Sequence, residues 1–230
     1  MSLRRLARLV QKLRHRFRRP PRTASDLIRD YSEYLRLQRD VHRSHESEVE
    51  RWAEGQRRFV RDALSELPRD ARILDCACGD GVGLAAARDL GFLRLIGVDL
   101  APAKAARARA LGFQVEERDM HDLAVFTDGS FDAIVSSHTF EHAYAPARVL
   151  SELRRVLAVR GLLFVVLPYP DPSPRNELAH PGKYELGTDR RDGGASVTRF
   201  FEERGFQTLS RRLDTWREPE IWLSLEKVGE

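Results

Sequence analysis

Long apolar runs are missing from this sequence. The longest, Gly161-Leu-Leu-Phe-Val-Val-Leu167, is strand length, far short of the roughly 20 residues that span a bilayer. A soluble protein is therefore expected. Cysteine is scarce: the chain holds two, Cys76 and Cys78. Side chains this close in sequence rarely satisfy disulfide geometry, and a Cys-x-Cys pair without partners is a poor metal site. Both read as small buried residues in a reducing cytosol. Acids are absent from residues 1–22, which carry nine of the 39 Lys and Arg residues. The remaining 30 bases face all 35 acids, so the body is mildly acidic. The overall charge of +4 then gives no reason to expect a specific nucleic-acid partner.

What the basic start does have is a stripe. Leu3, Leu6, Val10, Leu13 and Phe17 recur three and four apart, with arginines between them, and Pro20-Pro21 ends the pattern. No continuous apolar core follows the first arginines, so a secretory leader is not expected. Three readings stand: an anchor on anionic membrane, a helix that docks on a partner, or a solvated tail. A mitochondrial presequence has similar composition. The expected location is cytoplasmic, at the cytoplasmic membrane face if the anchor reading holds.

Residues 24 to about 67 predict two helices, one carrying Leu27, Ile28, Tyr31, Tyr34, Leu35 and Leu37, the other Val49, Trp52, Phe59, Val60, Leu64 and Leu67. Beyond Pro68, short β-rich runs (Ile73–Cys76, Leu95–Asp99, Phe113–Glu116, Phe131–Ser136, Leu162–Leu167) alternate with helical patterns at Val82–Leu90, Pro102–Leu111 and Ala147–Val159. That alternation predicts an α/β fold with a mostly parallel, Rossmann-like sheet and helices on both faces. The end reads helix, strand, strand, and two strands joined without a helix most simply pair antiparallel. The organisation expected is a basic segment 1–22, a helical cap 23–68 and an α/β domain 69–230. Within the last, residues 169–194 hold four prolines and four glycines. A loop this long after a strand's carboxyl end predicts a lid.

The densest motif is Ile73-Leu-Asp-Cys-Ala-Cys-Gly-Asp-Gly-Val-Gly83. A buried strand ends in an acid, turns through small residues and opens a helix, whose first N–H groups face a ligand that glycine lets approach closely. Asp99 ends the next strand 24 residues later, where a dinucleotide-type fold accepts hydrogen bonds from ribose hydroxyls.

On these residues the chain resembles the class I S-adenosylmethionine-dependent methyltransferases, and within them the Methyltransferase-11-like group, over about residues 69 to 228. The family's first motif runs acid-x-Gly-x-Gly-x-Gly; here it is Asp75-Cys-Ala77-Cys-Gly79-Asp-Gly81. Ala77 departs from it, harmlessly provided its φ is negative. The resemblance implies S-adenosylmethionine as cofactor, with Asp75, Ala77, Gly79 and Gly81 around its methionine part and Asp99 and Leu100 at its ribose. It also implies Asp119 as acceptor for the adenine amino group and Met120 against the ring. Ser136 and His138, at the fourth strand's carboxyl end, fall beside the donor's methionine or the acceptor, and Glu141-His142 matches a frequent acid-His pair.

Ser136-Ser137-His138-Thr139 replaces the Asn/Asp-Pro-Pro-aromatic motif of enzymes that methylate nucleobase amines. The expected reaction is methylation of a small polar acceptor or carbohydrate at oxygen, because the chain supplies candidate bases: His138 first, then His180 in the lid and His142. A membrane-associated lipid or quinone acceptor is the alternative. No metal site is read, Asp122 and Asp171 being too loosely placed for one. Two rivals remain. A nicotinamide dehydrogenase leaves Asp75 and Asp119-Met120 unexplained; a non-catalytic, cofactor-binding scaffold would need only the intact cofactor motifs.

Overall fold

The computed structural model of the protein describes residues 23–44 and 49–229. The basic amphipathic segment 1–22 and its membrane, docking and tail readings lie outside the described residues.

Helix α1 (Tyr31–Ser44) begins later than the apolar pattern predicts. Asp30 decides this: its Oδ1 accepts from Glu33 N at 2.9 Å, and Glu33 Oε2 accepts from Arg29 N at 2.9 Å. Asp30 thus satisfies one donor the helix end leaves open, Glu33 ties down the chain just before it, and Leu27 and Ile28 precede the helix. Helix α2 (Val49–Leu64) follows.

The sheet consists of β1 (Arg72–Cys76), β2 (Arg94–Asp99), β3 (Gln114–Glu117), β4 (Phe131–Ser137), β5 (Leu157–Pro168), β6 (Phe206–Asp214) and β7 (Glu220–Lys227), in the order β3-β2-β1-β4-β5-β7-β6. The first five strands are parallel, and β7 runs antiparallel to both its neighbours. The last two strands do form an antiparallel pair, but the later one sits inside. The reason is burial. The inner strand carries Ile221, Trp222, Leu223 and Leu225, all buried, whereas β6 presents mostly exposed Gln, Ser and Arg side chains and forms the edge.

Helices α3 (Val82–Asp89), α4 (Pro102–Ala110), α5 (Pro146–Val156), α6 (Lys183–Leu186) and α7 (Ala195–Glu202) complete the α-helices among the described residues. Strand residues alternate between two apolar clusters, as a pleated strand requires. Leu74, Ile134, Leu163 and Val165 pack with Val149, Leu150 and Leu153 of α5 and Phe201 of α7. Ile73, Ala133, Val135 and Val166 pack with Phe59, Val60 and Leu64 of α2. The second N-terminal helix is thus part of the sheet's own core, with Phe59 edge-on to Trp222 at 5.1 Å.

Residues 157–159, which the helical pattern includes, are strand. Leu157 pairs with Phe131 across a register shift, and Arg160 takes φ 60° at the bend. The ladder outcompetes one more helical turn there. The parallel strands reverse order between β1 and β4, so their carboxyl ends, Cys76 and Ser137, flank the switch point where open sheets of this kind bind ligands.

Candidate functional site

At the switch point the β1–α3 turn is wound tightly. Ala77, Gly79 and Gly81 have φ of 63°, 55° and 85°. The negative φ expected for Ala77 is not found; it occupies the left-handed region, where a Cβ costs roughly 1–2 kcal/mol. Ala77→Gly should therefore stabilise the fold by about 1 kcal/mol, read as a raised melting temperature, and an unchanged melting temperature would show that the turn carries no such strain.

The glycines serve different ends. A Cβ on Gly79 would meet nothing within 4 Å, whereas one on Gly81 would lie 3.1 Å from Ala108 Cβ of α4. Gly79 keeps the backbone open toward a ligand; Gly81 lets two helices approach. Cys76 and Cys78 are free, buried thiols, as expected.

A cavity of about 200 Å³ opens above this turn, lined among others by Ala77, Gly79, Asp99, Leu100, Asp119 and Met120. Asp99 is held by two backbone donors, Gly79 N to Oδ2 and Ala101 N to Oδ1, each at 2.8 Å. Its carboxylate is thereby fixed, with lone pairs left for hydroxyl donors. Asp119 accepts from His121 N at 2.9 Å, lies 2.6 Å from His121 Nδ1 and accepts from the Tyr31 hydroxyl of α1. Burial alone would raise the Asp119 carboxyl, but the His121 hydrogen bond and charge, with the tyrosine, hold it below the usual range.

Three expected cofactor residues are outside this lining: Asp75, Gly81 and Ser136. Ser136 is fully buried with an unpartnered hydroxyl, and its neighbour Ser137 lines the cavity instead. One step along a strand reverses the side chain's direction, which is why the sequence reading is corrected from Ser136 to Ser137. Asp75 is buried beside Gly83, where an added Cβ would fall 2.3 Å from Oδ2. Neither of its oxygens has a partner. Burial, and then the charge of Asp99, push it up to about 7.

A second, wider cavity of about 620 Å³ adjoins the first, sharing Gln56, Gly79, Lys104, His138 and His142. Here the three candidate histidines converge, and they are not equivalent. His138 Nε2 lies 3.1 Å from Glu220 Oε1, and its Nδ1 lies 3.5 Å from Glu141 Oε1. Burial alone would lower its pKa, but the bonds to Glu141 and Glu220 push it up to about 9. With both ring nitrogens facing carboxylates it has no lone pair for an acceptor's proton, and the reading of His138 as first-choice base is corrected.

His142 and His180 are arranged differently. His142 Nδ1 is 2.7 Å from the Ala179 carbonyl, and His180 Nδ1 is 2.7 Å from Asp171 Oδ2. Their rings meet edge to face, centroids 5.0 Å apart. A carbonyl and a carboxylate are acceptors, so each Nδ1 carries the hydrogen and each Nε2 the lone pair.

Residues 169–194 contain a 3-10 turn (Pro174–Asn176) and α6. The Tyr169 hydroxyl ties the two ends together, accepting from Gly194 N at 2.6 Å and donating to Asp192 Oδ1 at 2.9 Å. Inside, the fully buried Lys183 donates to Ser173 O at 2.5 Å and lies 3.6 Å from Asp171 Oδ1. Several lining residues escaped the sequence reading. Tyr34 and Gln38 reach the first cavity and Trp52 the second; Trp52 reads as one more core position, yet faces His138 at 5.8 Å. Glu220 had no local signal at all.

Residues 74–165 match the family model described as "Methyltransferase domain". The chain is 38% identical over 128 residues to a demethylmenaquinone methyltransferase of Thermus thermophilus, covering 53% of this chain and 56% of that protein. It is 36% identical over 104 residues to a ubiquinone biosynthesis O-methyltransferase of Xanthomonas axonopodis pv. citri, 43% of each. The matched region thus spans about half the length of these curated relatives. In fold, the chain resembles the 1,6-didemethyltoxoflavin-N1-methyltransferase of Burkholderia thailandensis, solved with 1,6-didemethyltoxoflavin and S-adenosylhomocysteine bound. The TM-score is 0.67 at 17% identity, over 87% of this chain and 91% of that one.

Proposed function

We propose that this chain, a member of the class I S-adenosylmethionine-dependent methyltransferases, moves a methyl group to a hydroxyl oxygen of a small acceptor. The observation that carries the choice of oxygen is the convergence of His142 and His180 on the second cavity, where His180, its Nδ1 held by Asp171, offers the lone pair of Nε2 to a hydroxyl hydrogen.

The residues present fit the cofactor. Gly79 leaves an open approach, Asp99 at the end of β2 offers fixed acceptors for hydroxyls, and the orphaned Asp75 carboxylate lacks the positive partner that an amino acid's ammonium would provide. When bound, S-adenosylmethionine supplies a methyl carbon on a sulfonium sulfur that departs as a neutral thioether. The chain's residues do the rest. Asp99 and the Gly79 turn orient the donor. Glu141 and Glu220 fix His138 at the junction of the two cavities, and alignment is what in-line displacement mainly needs. The acceptor oxygen would take the methyl group that the sulfonium would release, and its proton would pass toward the His142–His180 pair. Segment 169–194 covers this side and excludes water, as closing segments commonly do.

A quinol-type aromatic hydroxyl is the second reading. The relatives' names point to quinone substrates, and Trp52 with Pro168, Pro170 and Pro219 offers a ring-binding wall. Purified protein incubated with labelled donor and a panel of sugars, polyols and phenols, read by product mass, decides between them. Label appearing only on nitrogen or carbon would remove the hydroxyl reading. On the donor side, Asp99→Ala should weaken S-adenosylhomocysteine binding by about 1–3 kcal/mol. Unchanged calorimetric affinity in a folded variant would take Asp99 out of the site, and preference for NADH would restore the dehydrogenase rival.

A further inference from the structure

Glu141, His142 and His180 come from two distant stretches of chain, yet one ligand atom from each lies within 4.8 Å of the others. All three face the second cavity. We propose that they form a binding site for a divalent transition-metal ion, zinc or a similar borderline cation, with an open position toward the acceptor's hydroxyl.

The donor set is right for such an ion. Two imidazoles and one carboxylate make up a recurrent catalytic zinc site that keeps a further position for water or substrate. Ligands about 2.0–2.2 Å from one tetrahedral ion lie about 3.5 Å apart, so these side chains need close by only about an ångström. The surroundings prepare them for it. Metal-binding histidines almost always give their other ring hydrogen to a carboxylate or backbone carbonyl, and both histidines here do so. His180 Nδ1 meets Asp171, itself steadied by Lys183, and His142 Nδ1 meets the Ala179 carbonyl. Both Nε2 lone pairs are thereby aimed by second partners.

Glu141 supplies an independent observation. It is 1% exposed, and its Oε2 is buried without a hydrogen-bond partner among the described residues. A carboxylate oxygen left bare in the interior costs free energy, and a cation seated between the imidazoles would remove that cost. Gly182 N donates to the Glu141 carbonyl at 3.0 Å, which joins the segment carrying His180 to the turn carrying the other two ligands.

The inference rests on the hydroxyl-acceptor reading and deepens it. An ion here would bind the acceptor oxygen and lower the pKa of its hydroxyl, so the bond to carbon forms from an alkoxide or phenolate and the proton leaves to solvent. Acceptors with two neighbouring hydroxyls would chelate it best.

The test is ion binding, independent of turnover. Untagged full-length protein, stripped with a chelator, is titrated with Zn²⁺ by calorimetry and with Co²⁺ by visible absorption. One ion per chain is expected. His180→Ala and Glu141→Gln should each lower Zn²⁺ affinity about tenfold or more, and Asp171→Asn, which keeps all three ligands, about 10–100-fold. S-adenosylhomocysteine affinity in each variant reports that the fold is intact, and His180→Gln replaces the alanine variant if that one unfolds. Failure to bind one ion, or binding that none of these substitutions weakens, overturns the site. One ion bound in a protein that methylates no hydroxyl leaves the site and removes the hydroxyl reading; hydroxyl methylation with no ion bound does the reverse.

Discussion

His180→Ala lowers turnover by about 10²–10⁴-fold, the usual contribution of a positioned proton-transfer group, and leaves donor affinity nearly unchanged. The expectation follows from where the side chain sits. His180 lines the second cavity and is absent from the lining of the first. Its Nδ1 is occupied by Asp171, so the remaining nitrogen meets the acceptor alone. The loss is expected whether Nε2 takes a proton or holds an ion, because either way the acceptor oxygen stays protonated. Single-turnover kinetics and calorimetry with S-adenosylhomocysteine make the check. Donor affinity falling in step with turnover would assign segment 169–194 to the cofactor instead.

The second large effect concerns stability. Asp75 is buried without a hydrogen-bond partner and faces the charge of Asp99. Its folded-state pKa of about 7 lies above the 3.8 of an ordinary aspartate. Between those values the folded protein keeps a proton that the unfolded chain has lost, so stability falls as pH rises from about 4 through 7. Asp75→Asn removes the titration. In the ligand-free protein its advantage should be small near pH 4 and grow to about 4 kcal/mol above pH 7. Urea unfolding of both proteins across that range provides the measurement, and parallel curves would mean that Asp75 is ionised at little cost. The same substitution should weaken donor binding, since the orphaned carboxylate awaits a positive group. Stability given up at a binding site in this way is common.

Much of this was written along the chain. The alternation of short apolar runs with helical periods specified a parallel sheet, because strands buried on both faces must be apolar throughout. Gly79 and Asp99 were legible as neighbours at one end of the sheet and do line the first cavity, whereas Asp75 and Gly81 of the same motif lie outside its lining. Local signals of this kind act within a few residues, and sequence carries them well. The start of the first helix was misplaced at Leu27 and Ile28, because the apolar stripe was followed and the capping pair Asp30 and Glu33 was not.

The acceptor side was decided only by tertiary structure. Ser137 instead of Ser136 reaches the site because strand register fixes which of two neighbours turns inward. His138 loses its role as base because Glu220, 82 residues away, is brought beside it when β7 inserts between β5 and β6. His142 and His180 are 38 residues apart, and nothing in their neighbourhoods predicts that their rings meet. The folding of segment 169–194 around Lys183 and the Tyr169 hydroxyl brings them together. Which polar groups share a cavity depends on how distant elements pack, and that is a property of the assembled core, set by burial over the whole chain and not by any local pattern.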